Sequence, residues 1–273
     1  MSKPIVIYFR PGGPESDAEL TAARRQFSVV TCRDDIPPDT TVLCRYSALP
    51  FAEELEAFLK NQGCDMIVPV RDQALLSNIG KWYPIVGHRT FTTWSALDLI
   101  PDHAFPIVIK GATNSRKHEW EEKMFARDRQ EAHRIVRNLS DDPLIEKQRL
   151  YFRKFEELRK IAKRAAGLVP FSDEHRVFLM GGRLIAAGFY WSETHEFTIN
   201  PSDSHDTDIC KLASEVANRF LQHGVQFLVV DIARLANGEL RVVEVGDPQM
   251  AGLSTIDPDA FYMELWLGLS GRS

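Results

Sequence analysis

Along the first hundred residues, apolar runs and polar stretches alternate in a way that separates strands from helices. Pro4-Ile5-Val6-Ile7-Tyr8-Phe9 is an unbroken apolar run stopped by Pro11-Gly12-Gly13-Pro14, which predicts a buried strand. Further strands are predicted at Phe27–Cys32, Thr41–Cys44 and Met66–Val68. Phe51, Leu55, Phe58 and Leu59 fall on one helical face, so a helix is expected over Phe51–Asn61, with Gly63 just past its end. Strand, helix and strand with short connections predict a small α/β domain with a parallel sheet over residues 1–102. It closes near Phe91–Asp102, where Thr92, Thr93 and Ser95 offer caps for a short helix.

The second region, residues 103–273, has a different rhythm. Phe105–Gly111 reads as a strand, and Ala132, Ile135, Val136 and Leu139 set a helix over Arg127–Leu139. Leu144–Lys147 reads as a strand and Phe155–Ala166 as a strongly charged helix. Strands at Glu174–Met180 and Arg183–Trp191 are joined by Gly181-Gly182, a tight hairpin signal. Ile209, Leu212, Ala213, Val216, Ala217 and Phe220 form the buried stripe of a helix over Ile209–Gln222 that stops at Gly224. Antiparallel hairpins mixed with helices make this half α+β. The apolar C-terminal helix Phe261–Leu269, carrying Trp266, suits either a core or an oligomer interface.

Composition narrows the class. A chain of 273 residues with 44% hydrophobic and 26% charged residues is ordinary for a globular protein with a real core. A net charge of −5 argues against bulk nucleic-acid binding, yet 16 of the 33 basic residues lie between Lys110 and Arg164. Cys32, Cys44, Cys64 and Cys210 lie far apart with no Cys-x-x-Cys pair, which fits free thiols in a reducing compartment. The N-terminus reads as a strand and no apolar run approaches the ~20 residues of a bilayer span, so a cytoplasmic protein without a membrane partner is expected.

The chemistry concentrates in Val229-Val230-Asp231-Ile232-Ala233 and Leu240-Arg241-Val242-Val243-Glu244-Val245-Gly246-Asp247, two strands around Asn237-Gly238. A two-residue loop there sets Asp231 directly opposite Glu244. Like charges so placed destabilise a strand pair, and buried carboxylates must be paired or bind a cation. Hard oxygen donors used sparingly suit Mg²⁺ carrying a nucleotide. The same residues also fit an ordinary hairpin, with Asp231 capped by an N–H and Glu244 in solvent, and both readings stay open on this segment alone. Lys110 ends an apolar strand beside Gly111, where a lysine can reach a phosphate or simply extend to solvent. The loop from Gly111 to His118 adds Arg116 and Lys117, and no Walker-type motif occurs. Ile145-Glu146-Lys147 pairs a carboxylate with a cation, and strand alternation puts Glu174 and Arg176 on one face, His175 and Val177 on the other.

Taken in order, strand-Lys110-Gly111, Ile145-Glu146-Lys147, Glu174-x-Arg176 with its Gly-Gly hairpin, and Asp231 … Glu244-Val245-Gly246-Asp247 resemble the ATP-grasp superfamily. The motif order is similar to that of D-alanine–D-alanine ligase, over roughly Phe105–Ser254. The resemblance extends to a compact phage and bacterial clade noted for two arginines and one lysine, assigned here to Arg45, Arg176 and Lys110. It implies an ATP-grasp fold with a small N-terminal pre-ATP-grasp domain, and ATP and Mg²⁺ as cofactors. Lys110 would then contact the α- and β-phosphates, Glu146 and the Lys147 backbone the adenine, and Glu174 the ribose. Arg116 and Lys117 would close over the triphosphate, and Asp231 and Glu244 would hold Mg²⁺. Arg45 would bind a substrate carboxylate and Arg176 would stabilise an oxyanion. The usual Glu-x-Asn is Glu244-Val245-Gly246 here, with Asp247 or Gln249 to supply the missing ligand, and an arginine expected before the metal Asp is Val229. The implied activity is ATP-dependent ligation of a carboxylate to an amine on a small-molecule or peptide substrate. Two rivals are a nucleic-acid-acting protein using the basic 147–164 region, through Lys154, Arg159, Lys160, Lys163 and Arg164, and an inactive nucleotide-binding module.

Overall fold

The apolar runs of the first region become the strands they predict. The computed structural model describes residues 3–12, 14–46, 51–162, 169, 171–192 and 198–271. In chain order the first unit runs β1 (Ile5–Phe9), α1 (Pro14–Gln26), β2 (Ser28–Val30), β3 (Thr41–Arg45), α2 (Ala52–Asn61) and β4 (Asp65–Met66). The four strands form a parallel sheet in the order β2-β1-β3-β4. Helix α2 buries Ala52, Leu55 and Leu59, as its stripe requires. Helices α3 (Val70–Leu76) and α4 (Ile79–Val86) follow, and α4 drives Trp82 and Val86 into the core.

The short helix expected in residues 91–102 is a single 3-10 turn, Leu97–Leu99, that none of the expected side chains caps, and a second sheet begins at residues 93–94. It comprises β5 (Thr93–Trp94), β6 (Ile107–Gly111), β7 (Phe125–Ala126) and β8 (Leu150–Lys154), antiparallel in the order β5-β8-β6-β7. Between its strands lie α5 (Trp120–Lys123) and α6 (Arg129–Ser140). Ala132, Ile135 and Leu139 of α6 pack on Ile107, Ile109 and Phe152 to make this sheet's own core. Residues 144–147 form a turn rather than a strand. The Asp142 carboxylate caps the Leu144 N–H at 3.0 Å, and the chain becomes extended only at Leu150.

The charged helix expected over residues 155–166 is also overturned. Its apolar residues Phe155, Leu158 and Ile161 mimic a helical stripe, but the backbone pairs at long range instead. Leu158 bridges to Leu235, the Arg159 N–H donates to Arg234 O at 2.8 Å, and β9 (Lys160–Ala162) pairs with β10 (Phe171–Ser172). With no helix over the described part of this segment, the basic stripe expected for nucleic acid does not form there. Arg159 turns to Asp173 and Lys160 to Glu157. Lys163 and Arg164 lie outside the described residues.

The third sheet carries β11 (Glu174–Met180), β12 (Arg183–Phe189), β13 (Phe227–Arg234) and β14 (Leu240–Gly246), antiparallel in the order β12-β11-β13-β14. Gly181 and Gly182, at φ 58° and 78°, make the two-residue hairpin that the sequence predicts. Helix α7 (Thr207–Leu221), between β12 and β13, buries its predicted stripe on one face of this sheet. Helix α8 (Pro258–Ser270) covers part of the other face and packs on α1, with Phe261 against Phe178 at 5.0 Å. Phe261, Tyr262 and Leu265 are buried, so this apolar helix belongs to the core. One core cluster joins Ile7, Phe9 and Leu43 of the first sheet to Phe178, Phe220 and Phe261 of the third. Among the described residues, no helix is long and apolar enough to cross a membrane.

Candidate functional site

Three charged side chains form a row across the third sheet. Arg176, Asp231 and Glu244 are direct neighbours on β11, β13 and β14, with Glu174 two residues along on the face of Arg176. The opposition of Asp231 to Glu244 matches expectation, but the route to it does not. Leu235 bonds to Glu239 and Gly238 sits at φ 92°, so the loop is the three residues Ala236-Asn237-Gly238. A longer loop alone would shift the register and face Asp231 with Val243. A bulge between Ile232↔Val242 and Asp231↔Glu244 leaves Val243 unpaired and restores the alignment.

The second sheet faces this row. Lys110 on β6 is buried and its Nζ lies 2.9 Å from Glu244 Oε1. Burial alone would raise the Glu244 carboxyl, but Lys110, Lys117 and Arg153 overcome it and hold the pKa at about 2. A pocket of about 130 Å³ opens beside the pair. Val108, Met124, Phe155, Leu158 and Val243 give it apolar walls, and Lys110, Lys117, Glu174 and Glu244 supply its charge. Glu174 is 5% exposed, and burial pushes its carboxyl up to about 7 against the pull of Lys117.

A larger cavity, about 750 Å³ and open to solvent, adjoins this pocket. Glu19, Tyr46, Arg176, Tyr190 and the start of α8 line it, and Lys117 and Trp191 line both spaces. Lys117 Nζ is 2.9 Å from the Tyr190 hydroxyl at this junction. Arg176 lies over the Tyr190 ring at 4.7 Å and grips both Asp231 oxygens, Nε at 2.9 Å and Nη2 at 2.8 Å.

The structure therefore gathers Lys110, Lys117, Glu174, Arg176, Asp231 and Glu244. The other residues singled out in the sequence lie elsewhere. Arg45 is fully buried. Its Nε and Nη2 lie 2.9 and 2.7 Å from Glu19 Oε1, and it also donates to the Pro248 and Ala251 carbonyls, so no edge is left for a substrate carboxylate. Arg116 turns to Asp142, with Nε at 2.7 Å, and lines neither cavity. Glu146 and Lys147 sit on the turn before β8, and the pocket edge is formed instead by Lys154, Phe155 and Glu156. Asp247 lines neither cavity; its buried Oδ2 has no hydrogen-bond partner among the described residues, and the Gln249 N–H donates to its Oδ1 at 2.9 Å. Gln249 is likewise occupied, its Oε1 accepting from the Cys44 N–H at 3.3 Å.

The two departures from the expected metal motif lie side by side. Val229 and Gly246 are cross-strand partners, and a Cβ on residue 246 would meet Val229 Cγ1 at 3.1 Å. A valine in place of arginine thus goes with a glycine in place of asparagine. Asp231 and Glu244 remain as the acidic donors, and no cluster of three or more His, Cys, Asp or Glu side chains gathers among the described residues. Two opposed hard-oxygen donors suit Mg²⁺ that takes its other ligands from phosphate and water, and the ion would have to displace part of the Arg176 grip on Asp231 and the Lys110 contact to Glu244.

Sequence reasoning missed Arg153, which lines the smaller pocket, and Thr90, which holds Arg153 from behind without lining it. Arg153 Nη1 donates to Val243 O at 2.8 Å and Nη2 to Thr90 Oγ1 at 2.7 Å. Alternation along β8 puts Arg153 on the inward face, but that signal is invisible without knowing where the strand begins. Tyr190 was missed as well, since it lies past the hairpin strand among other aromatic residues.

Comparison with known proteins agrees with this architecture. No curated protein matches the chain. Among solved structures, D-cycloserine synthetase DcsG is similar at TM-score 0.64 and 16% identity, covering 97% of this chain and 99% of its own. D-alanine–D-alanine ligase from Bacillus anthracis complexed with ATP gives 0.62 and 10%, covering 99% of both. ATP-grasp ligase PsnB complexed with minimal precursor, Mg and ADP gives 0.57 and 14%, covering 98% of both. The family model of the ATP-grasp domain, family 3 of the clade named for two arginines and one lysine, matches residues 98–265, so the chain belongs to that family.

Proposed function

We propose that the protein is an ATP-dependent carboxylate–amine ligase acting through an acylphosphate on an amino-acid or peptide-like substrate. The carrying observation is the junction at Lys117 and Trp191, where a narrow charged pocket meets a wide open cavity. The narrow pocket, below the usual size of a small-molecule site, would take only the base end of a nucleotide. Adenine would lie between the apolar walls beside residues 154–156, with the ribose hydroxyls at Glu174 and the phosphates reaching past Lys117 toward the wide cavity. Lys110 and Lys117 face the phosphates. Mg²⁺ on Asp231 and Glu244 would offset charge on the phosphate oxygens when bound. The wide cavity suits the acceptor, and D-alanine–D-alanine ligase and the precursor-bound PsnB are neighbours of the same fold.

On this reading Lys117 holds the γ-phosphoryl at the boundary while Arg176 orients the substrate carboxylate from the cavity side. Transfer of the phosphoryl from ATP gives ADP and an acylphosphate; an amine then attacks its carbonyl carbon, and the tetrahedral species expels inorganic phosphate and loses a proton as the amide forms. Arg176, fixed by Asp231 and Tyr190, stabilises the oxyanion that forms. Position and charge do most of this work, as in other phosphoryl transfers.

The test is incubation with MgATP and pooled amino acids and short peptides carrying ¹⁸O in their carboxylates. Release of ADP, with ¹⁸O appearing in the inorganic phosphate, is the expected result. AMP with pyrophosphate, or ADP whose phosphate carries no label, would refute the acylphosphate route.

A further inference from the structure

Two consecutive carbonyls of the β14 bulge are gripped from outside the third sheet. Thr90 Oγ1 donates to Val242 O at 2.6 Å, and Arg153 Nη1 donates to Val243 O at 2.8 Å. Arg153 Nη2 also donates to Thr90 Oγ1 at 2.7 Å, which makes the two grips one unit. The bulge they hold is what corrects the register left by the three-residue loop. A strand that slips by one residue turns its side chains to the opposite face. Without the bulge, Val243 would face Asp231 and Glu244 would leave the site.

Arg153 has capacity beyond this grip. It is 6% exposed, packed against Phe91 at 4.9 Å and Trp82 at 5.7 Å, and it lines the smaller pocket. Its Nε has no hydrogen-bond partner among the described residues. Buried donors are almost always satisfied, so an open one on a guanidinium lining a pocket points to an anionic ligand. Lys110 shares its face of the second sheet, with Arg153 opposite Val108 and Tyr151 opposite Lys110.

We propose that Thr90 and Arg153 are the positioning pair of the metal site. They lock the bulge that turns Glu244 toward Asp231, and Arg153 Nε meets a phosphate oxygen of the bound nucleotide. This rests on the ATP-binding reading above, and it adds a role for two residues outside the row of charged side chains. It also explains why a loop of the wrong length is tolerated between two residues whose opposition matters.

Calorimetric ATP binding across a Mg²⁺ series, on the parent, Thr90→Val and Arg153→Lys, tests it. Direct partners of metal ligands typically change metal affinity about 10- to 100-fold when mutated, and Thr90 acts one step further out through the Val242 carbonyl, so Thr90→Val should raise the half-maximal Mg²⁺ by about tenfold. Its Mg²⁺-free ATP affinity should fall less than that of Arg153→Lys, because the Arg153 guanidinium remains and loses only its Thr90 contact. Arg153→Lys keeps the charge but lacks the fork, so it should raise the Mg²⁺ requirement and also weaken Mg²⁺-free ATP. Hydrogen exchange of the nucleotide-free proteins should quicken at residues 243–245 in both variants. A parent-like Mg²⁺ requirement in both variants overturns the inference alone, and a parent that binds no MgATP overturns the ATP reading with it. If Arg153→Lys does not fold, Thr90→Val decides.

Discussion

Arg45→Met probes a group that the sequence resemblance assigned to substrate and the structure assigns to the core. Its guanidinium is wholly buried and donates to Glu19 and to the carbonyls of Pro248 and Ala251. Removing it leaves the Glu19 carboxylate buried, supported among the described residues by the hydroxyls of Tyr46 at 2.6 Å and Tyr262 at 2.7 Å. Breaking a buried ion pair from one side costs about 3–5 kcal/mol, and the two tyrosine donors place this case toward the lower end. At about 2–4 °C per kcal/mol for a domain of this size, Tm should fall by roughly 6–12 °C. Urea unfolding followed by fluorescence measures the loss directly, as a shift in midpoint at unchanged slope. The double variant Arg45→Met, Glu19→Leu should regain a large part of it, since an apolar pair can replace a buried ionic one. A cost below about 1 kcal/mol for Arg45→Met, or a double variant no more stable than the single one, refutes the reasoning.

Glu174 gives a pH signature. Its pKa in the folded chain is about 7, above the unfolded value, so the native state binds more protons and stability falls as pH rises from about 4.5 through 7. The shift corresponds to roughly 3 kcal/mol at full titration. Glu174→Gln should flatten that slope in urea midpoints measured from pH 5 to 8, and an unchanged slope would remove Glu174 as its source. Asp247, raised by burial to about 6, adds a smaller fall of the same sign that survives the substitution. Arg176→Lys loses the two-point contact to Asp231, so ADP release should slow by about 10²–10³-fold. MgATP affinity should change far less in the same variant. Equal losses in both would mean that Arg176 serves nucleotide binding rather than the reacting carbonyl.

Local patterns carried the parts of the fold that are locally determined. The Gly181-Gly182 hairpin, the stripe of α7 and the apolar run of β1 each specify their element without help from the rest of the chain. Helix α1 escaped because its buried apolar residues are Leu20, Ala22 and Ala23, with Glu19 turned inward as the partner of Arg45, so no stripe marks it. Segments 144–147 and 155–162 failed for the opposite reason. Their local patterns fit regular elements, but the Asp142 cap and pairing with Arg234 and Leu235 override those patterns.

The site was legible where it depends on alternation within a hairpin. That Asp231 faces Glu244 and that Glu174 shares a face with Arg176 followed from hairpin and period-two geometry, while their gathering into one candidate site rested on motif order. Lys110 and Lys117 followed from motif order. Arg153 and Thr90 could not be read, because their roles arise from one sheet closing on another. The opposition of Asp231 to Glu244 was reached from a two-residue loop that does not occur. A bulge compensates for the longer loop, and the right partner emerged from the wrong turn.

The two opposed carboxylates carry the central claim. Titration calorimetry of MgATP into the parent, Asp231→Asn and Glu244→Gln, each checked for a cooperative urea transition, tests them directly. Saturable binding by the parent and a loss of about 100-fold in each variant, near 2.7 kcal/mol, is the predicted outcome. Variants that hold MgATP as tightly as the parent would contradict it.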